Sequence, residues 1–245
     1  MQKQERIEQV LKMIKSQKFC TVEQLVNALH YSPATIRRDL THLAQKGLIE
    51  KSYGGASFVG TGIFAEREHL YTAEKARLCH AAGELIRDGD TVFVDGTTTT
   101  YYLRDALFKK QHLTVITTNL KLAIDLCDHG VNCFVPGGQL CDTMMLGGSM
   151  AAQTLERFFF DIAFFSPGRV SYDGGLSIPE VFVNHTHTVL KNARRRVCLY
   201  GQKKFVPQVN YCFDDLGAFD VVVSNAEFPG EFADSFPDTE FMLVK

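Results

Sequence analysis

Ser32-Pro33-Ala34-Thr35-Ile36-Arg37-Arg38-Asp39-Leu40 reads as a helix start with a particular dressing. Ser32 offers an N-cap hydroxyl, Pro33 suits the first helical turn, and Ile36, Leu40 and Leu43 recur at spacings of four and three. That pattern predicts a helix with one apolar face. Small side chains at its start let the N-terminus approach a duplex groove closely. Thr35 with Arg37 or Arg38 then reaches base edges or phosphates. An isolated Arg-Arg pair is more often a solvated face, so the reading depends on what surrounds it.

Upstream, Ile7, Val10, Leu11 and Ile14 give a first amphipathic helix, and Thr21 with Gln24 makes a capping box ahead of Val22, Leu25, Val26 and Leu29. Gly47 is placed to end the third helix in a left-handed conformation. Leu48 to Phe58 then reads as two short extended runs around a polar tip, which is a wing. Residues 1–58 are therefore expected to form a three-helix winged helix-turn-helix. Its candidate contacts to double-stranded operator DNA are Thr21, Ser32, Ala34, Thr35, Arg37, Arg38, Lys51, Tyr53 and Gly54. Asp39 would be repelled by phosphate and is assigned to holding helix geometry.

The charge distribution agrees. The net charge of −2 divides unevenly: residues 1–58 hold 9 Lys+Arg against 5 Asp+Glu, and the remainder 17 against 23. The first part thus carries about +4, as a polyanion partner requires, and the rest about −6. A length of 245 residues suggests two domains, and 45% hydrophobic with 22% charged residues is globular composition. No stretch is apolar enough for a membrane span, and Met1-Gln2-Lys3-Gln4-Glu5-Arg6 lacks a signal-peptide core, so a cytoplasmic protein is expected. Seven cysteines without a C-x-x-C pair fit reduced thiols better than a disulfide framework or a zinc ribbon.

Gly60-Thr61-Gly62 lies in a segment, residues 59–72, that reads as a linker. From residue 73 to 245 the pattern alternates. A helical run over Ala73, Ala76, Cys79, Ala82, Leu85 and Ile86 precedes Thr91–Val94. The compact apolar runs Leu113–Thr117, Val131–Val135, Asp161–Phe165, Val197–Tyr200 and Asp220–Val223 follow, separated by helical stretches. A doubly wound, mainly parallel α/β domain is expected, with ligand at the carboxyl ends of its strands. Val94-Asp95-Gly96-Thr97-Thr98-Thr99-Thr100-Tyr101 falls at such an end, where hydroxyls, free N–H groups and a helix dipole suit a phosphate monoester. Asp95 cannot favour phosphate, so sugar hydroxyls are its expected donors. Thr117-Thr118-Asn119 and Pro136-Gly137-Gly138 stand at two further strand ends, each weak alone.

These residues resemble the DeoR family of bacterial transcription regulators. The resemblance is carried by Arg6, Val10 and Ile14, by Ser32-x-x-Thr35-Ile36-Arg37-Arg38-Asp39-Leu40, by Tyr53-Gly54-Gly55-Ala56, and by Glu66-Arg67-Glu68 with Lys75, which looks like the family's linker. It implies a sensor domain related to sugar-phosphate isomerases, with an effector pocket lined by Asp95, Gly96, Thr97, Thr98, Thr99, Thr118, Asn119, Gly137 and Gly138. Lys204, in a late Lys-Phe, is the implied phosphate partner. The implied function is repression of carbohydrate-metabolism genes, relieved by a phosphorylated sugar, by a homo-oligomer such as a dimer or tetramer. The chain departs from the family pattern at Gly201 and Lys203, where Asp and Ser are usual, and Asn184-His185-Thr186-His187 lacks an expected acidic residue.

Other readings carry less. His185 and His187, two apart on a helix, face opposite ways and make a poor metal pair; neither metal nor cofactor is expected. Arg194-Arg195-Arg196 at a helix end reads as dipole neutralisation. The rival is a sugar-phosphate isomerase with a regulatory N-terminal module, for which Asp173 and Glu180 would be base candidates. A DNA-binding protein without ligand is a third possibility, opposed only by the Asp95–Thr100 loop.

Overall fold

The computed structural model describes residues 3–17, 19–45, 49–52, 54–58, 64–142 and 144–245. The chain divides into two compact units, Met1–Gly62 and Ile63–Lys245. In the first, α1 (Lys3–Gln17), β1 (Phe19–Thr21), α2 (Val22–Leu29), α3 (Pro33–Gln45), β2 (Ile49–Ser52) and β3 (Gly55–Phe58) follow in order. Val10 and Ile14 from α1, Leu25 from α2, and Ile36, Leu40 and Leu43 from α3 close one buried core with Ile49 and Ala56 of the wing. The strands pair antiparallel in the order β1-β3-β2. Sequence reading missed β1, whose three residues are too few to show a period. Gly55 is needed there because a Cβ would strike the Cys20 carbonyl. The expected stop at Gly47 lies outside the described residues.

The second unit opens with α4 (Phe64–Glu68) and α5 (Thr72–Gly83). Phe64 is fully buried in the main core, edge to face with Tyr101, so the segment read as a linker up to residue 72 is partly packed structure. Next come β4 (Thr91–Val94), α6 (Arg104–Leu107), β5 (Thr114–Thr117), α7 (Leu120–Asp128), β6 (Asn132–Phe134), β7 (Gln139–Asp142), β8 (Met145–Gly147), α8 (Ser149–Leu155) and β9 (Ile162–Phe165). The chain continues through β10 (Arg169–Ser171), β11 (Gly175–Ser177), α9 (Glu180–Asn192), β12 (Arg196–Tyr200), β13 (Phe205–Val206), β14 (Asp214–Asp215), β15 (Val221–Ser224), α10 (Phe232–Ser235) and β16 (Glu240–Leu243).

Seven strands form a parallel sheet in the order β16-β15-β12-β9-β4-β5-β6. Alternation along each central strand feeds two cores. Val92 and Val94 of β4, with Ile162 and Phe164 of β9, face α5, α6 and α7; Phe93, Ala163 and Phe165 face the side of α8, α9 and α10. The doubly wound α/β expectation is therefore met. The chain starts in mid-sheet at β4, runs outward through β5 and β6, then returns to β9 and winds the other way. Between β4 and β9 the winding reverses, the position at which open α/β sheets bind ligands. The four-stranded sheet β13-β10-β11-β14 and the hairpin β7-β8 went unread, being built of strands of two to four residues.

Candidate functional sites

In the first unit α2 ends at His30, which caps it in a left-handed conformation, and α3 begins three residues later. The Thr21–Gln24 capping box is present in both directions, and Ser32 Oγ accepts from Thr35 N at 3.2 Å. Burial of Ile36, Asp39, Leu40 and Leu43 turns the opposite face outward: Ser32, Ala34, Arg37 and Arg38 are exposed and Thr35 is half-exposed. Asp39, only 1% exposed, accepts from Arg6 Nε at 2.6 Å and from Nη2 at 3.0 Å, which ties α3 to α1. Lys51 of β2 donates to Thr41 Oγ1 on α3 at 3.1 Å, and Gly54, at φ +80°, accepts from Val22 N at 2.9 Å. The wing is thereby held beside the outward face of α3, and Thr21 lies half-exposed at the start of α2. Tyr53 lies outside the described residues.

In the second unit the loop after β4 sits where the winding reverses, and its hydroxyls divide by direction. Thr97 and Thr100 turn inward: the Thr97 N–H and hydroxyl donate to Asp95 Oδ1 at 3.0 and 2.8 Å, and the Thr100 hydroxyl donates to the same oxygen. Ser166 N, just after β9, donates to Asp95 Oδ2 at 2.7 Å. Both carboxylate oxygens thus take hydrogen bonds from within the fold, three on Oδ1 and one on Oδ2, and Asp95 stitches the β4 loop to the β9 loop. Burial pushes its carboxyl up, against hydrogen bonds from Thr100, Ser166 and Thr97 that hold it down.

Thr98 and Thr99 turn the other way, toward two lysines. Lys75 Nζ, from α5, donates to Thr98 Oγ1 at 3.1 Å, and Lys204 Nζ, from the turn after β12, donates to Thr99 Oγ1 at 3.3 Å and Ser166 Oγ at 2.7 Å. Lys75 is 8% exposed and Lys204 half-buried. Desolvation is the main cause that brings each ammonium down to about 8, and the nearby Arg67 guanidinium adds repulsion to both. Among the described residues neither ammonium has a carboxylate in ion-pair contact, although Asp95 raises Lys204, and Glu68 and Glu74 raise Lys75, from farther off. Burying cations without a contact counter-charge is costly and favours an anion beside them. Arg67 Nη2 reaches Met145 Sδ at 3.6 Å, so α4 and the β7-β8 hairpin meet at the same place.

The helix dipole invoked for phosphate has little substance here. Thr100–Leu103 is one 3₁₀ turn and α6 has four residues, too few aligned peptides for a strong terminus. Thr118 and Asn119 are buried as supports: Asn119 Oδ1 accepts from Leu122 N at 3.0 Å, and its Nδ2 donates to the Gly96 and Thr97 carbonyls at 3.4 Å. A Cβ at Gly96 would press on Met145 and the Thr118 hydroxyl. Gly137 and Gly138 both have positive φ, and a Cβ on Gly138 would meet the Gly147 carbonyl and Ala151, which places Gly138 against the β7-β8 hairpin and α8.

Lys75 is the residue that sequence reading passed over as part of a linker-like segment. Its only signal was a lysine amid the apolar run of α5. At Gly201 a Cβ would collide with the Glu74 carboxylate, which uses the room a family Asp would fill, and Lys203 is exposed. Arg194, Arg195 and Arg196 do not neutralise a helix end; they pair with Asp161, Glu240 and Asp220. His185 is buried and His187 stands 3.5 Å from Asp214, so the two face apart as expected. Asp173 is held low by hydrogen bonds from Ser171 and Gly175, and Glu180 is exposed at the start of α9.

Comparison with known proteins follows the same division. A profile for the DeoR-like helix-turn-helix domain matches residues 6–61, and one for the DeoR C terminal sensor domain matches residues 71–226. The chain is 32% identical to the HTH-type transcriptional repressor CsqR of Escherichia coli, over 82% of this chain and 79% of that protein. It is 27% identical to the E. coli glycerol-3-phosphate regulon repressor over 94% and 93%, and 30% identical to the lactose phosphotransferase system repressor of Lactococcus lactis over 84% of each. Among solved structures, ribose 5-phosphate isomerase A of Methanocaldococcus jannaschii aligns over 56% of each chain at 15% identity and a TM-score of 0.42, too remote to bear on chemistry. The two profiles cover both units, and the chain belongs to the DeoR family of transcription regulators.

Proposed function

We propose that this chain represses carbohydrate-metabolism genes by placing α3 in the major groove of operator DNA, and that a phosphorylated sugar or polyol held by Lys75 and Lys204 relieves repression. One observation carries the effector class: two desolvated ammonium groups from distant parts of the chain converge on Thr98, Thr99 and Ser166 with no contact carboxylate among the described residues. A phosphate monoester supplies the charge and several acceptors at once. The names of the relatives, which speak of glycerol 3-phosphate and of a lactose phosphotransferase system, point to the same class.

Residues 1–58 act as the DNA reader, with Thr21, Ser32, Ala34, Thr35, Arg37, Arg38, Lys51, Tyr53 and Gly54 as its contact set, and residues from 73 onward act as sensor and assembly domain. A cytoplasmic homo-oligomer, at least a dimer, presents paired α3 helices to repeated half-sites. The effector need favour one arrangement by only ~1–3 kcal/mol to change DNA affinity usefully. A regulator is favoured over an isomerase because the relatives compared above carry the names of transcriptional repressors.

Thermal-shift screening of the full chain against phosphorylated and unphosphorylated sugars and polyols tests the effector class. Stabilisation by phosphorylated members only, lost in Lys204→Ala, is expected; equal response to both series rejects the phosphate assignment.

A further inference from the structure

Lys75 does more than face the Thr98 side of the effector site. Its ammonium has three donors, and all three are engaged: Thr98 Oγ1 at 3.1 Å, the Arg67 carbonyl at 2.6 Å and the Glu68 carbonyl at 3.5 Å. The last two belong to the C-terminal end of α4. We infer that an anion in the effector site and α4 compete for Lys75, so that anion binding loosens α4. This inference rests on the effector site proposed above.

The geometry supports competition on two counts. An oxygen that ligates Lys75 must take a donor from Thr98 or from α4, and the Arg67 carbonyl keeps an alternative donor in Leu70 N at 3.2 Å. Five residues are too short to persist as a helix on their own, so α4 depends on its tertiary contacts. Those contacts include the buried Phe64, the Glu68–Lys121 ion pair, the Arg67 contact to Met145, the Tyr102 hydroxyl donating to the Glu68 carbonyl at 3.0 Å, and Lys75 itself. A lysine that served only to cap a helix end would have no need of Thr98. In chain order α4 is the first described element after the boundary at Gly62.

Hydrogen exchange of the full chain, with and without saturating inorganic phosphate, tests this. Binding is first established by calorimetry. The amides of residues 66–70 are expected to exchange roughly 3- to 10-fold faster with phosphate bound. Lys75→Met, which keeps the apolar stem and removes the donors, should show fast exchange there already, with no further response to phosphate. Tyr102→Phe removes a different α4 contact; it should raise the basal rate and keep the phosphate response. Phosphate that binds the wild type and leaves these amides unchanged or slower overturns the competition while sparing the effector site. Failure of phosphate to bind the wild type removes both.

Discussion

Arg6 and Asp39 form a two-pronged pair, Nε to Oδ2 at 2.6 Å and Nη2 to Oδ1 at 3.0 Å, that sets the rotation of α3 against α1. The Asp39 side chain is 1% exposed and the Arg6 side chain 19%. Asp39 directly follows Arg37 and Arg38, so anchoring it inward aims both arginines outward. Removing one partner leaves a buried charge without its donors. Arg6→Ala is expected to destabilise the first unit by about 2 kcal/mol, read as a lower urea midpoint of that unit's transition, with the second unit unaffected.

Arg37 and Arg38 stand on the exposed face of α3 and bear on no core contact. Alanine at either should leave thermal stability within about 0.5 kcal/mol and weaken operator binding by about 1–3 kcal/mol. If the contact is to phosphate, the slope of log affinity against log salt falls by about 1; if it is to a base edge, discrimination at one position relaxes instead. Filter binding across a salt series reads both.

Lys75 and Lys204 both titrate near 8 in the folded chain, below their usual 10.5, chiefly because they are desolvated. Two signs follow. Anion affinity should fall above pH 8, by about tenfold per pH unit for each ammonium the anion needs charged. Stability without ligand runs the other way: the unfolded chain holds these protons up to about 10.5, so the two sites add stability as pH rises from 8 toward 10.5. Calorimetric titration with phosphate from pH 7 to 9.5 reads the first, and denaturant midpoints over the same range read the second.

His185 is 3% exposed, its Nδ1 has no hydrogen-bond partner among the described residues, and burial brings it down to about 4. The unfolded chain takes up this proton below about 6.5 and the folded chain only near 4, so stability falls as pH drops through that window, by about 3 kcal/mol in all. His185→Phe should flatten the acid limb between pH 6.5 and 4.5, seen in urea midpoints, and cost little at pH 7.

What was legible from sequence was local. The Ser32 cap, the Thr21–Gln24 box and the spacing of Ile36, Leu40 and Leu43 act within a few residues, so the helix-turn-helix and the exposure of Arg37 and Arg38 could be read directly. The seven-stranded sheet was legible in six of its runs, and β16 went unread although Phe241, Met242 and Leu243 give it an apolar run. The effector site was half legible. The Thr-rich loop and Lys204 stood out, but Lys75 is brought to them only by the crossover geometry of the sheet. The role of Asp95 turned on a partner, Ser166, that lies on another strand end.

The most direct test is operator affinity of the full chain, on DNA recovered by in vitro selection, titrated with the phosphorylated compounds found to bind. The account predicts that such a compound lowers operator affinity about tenfold or more in the wild type, and that Lys204→Ala holds the operator as tightly yet no longer responds. Release by the unphosphorylated sugar at the same concentration, or undiminished release from Lys204→Ala, would contradict it.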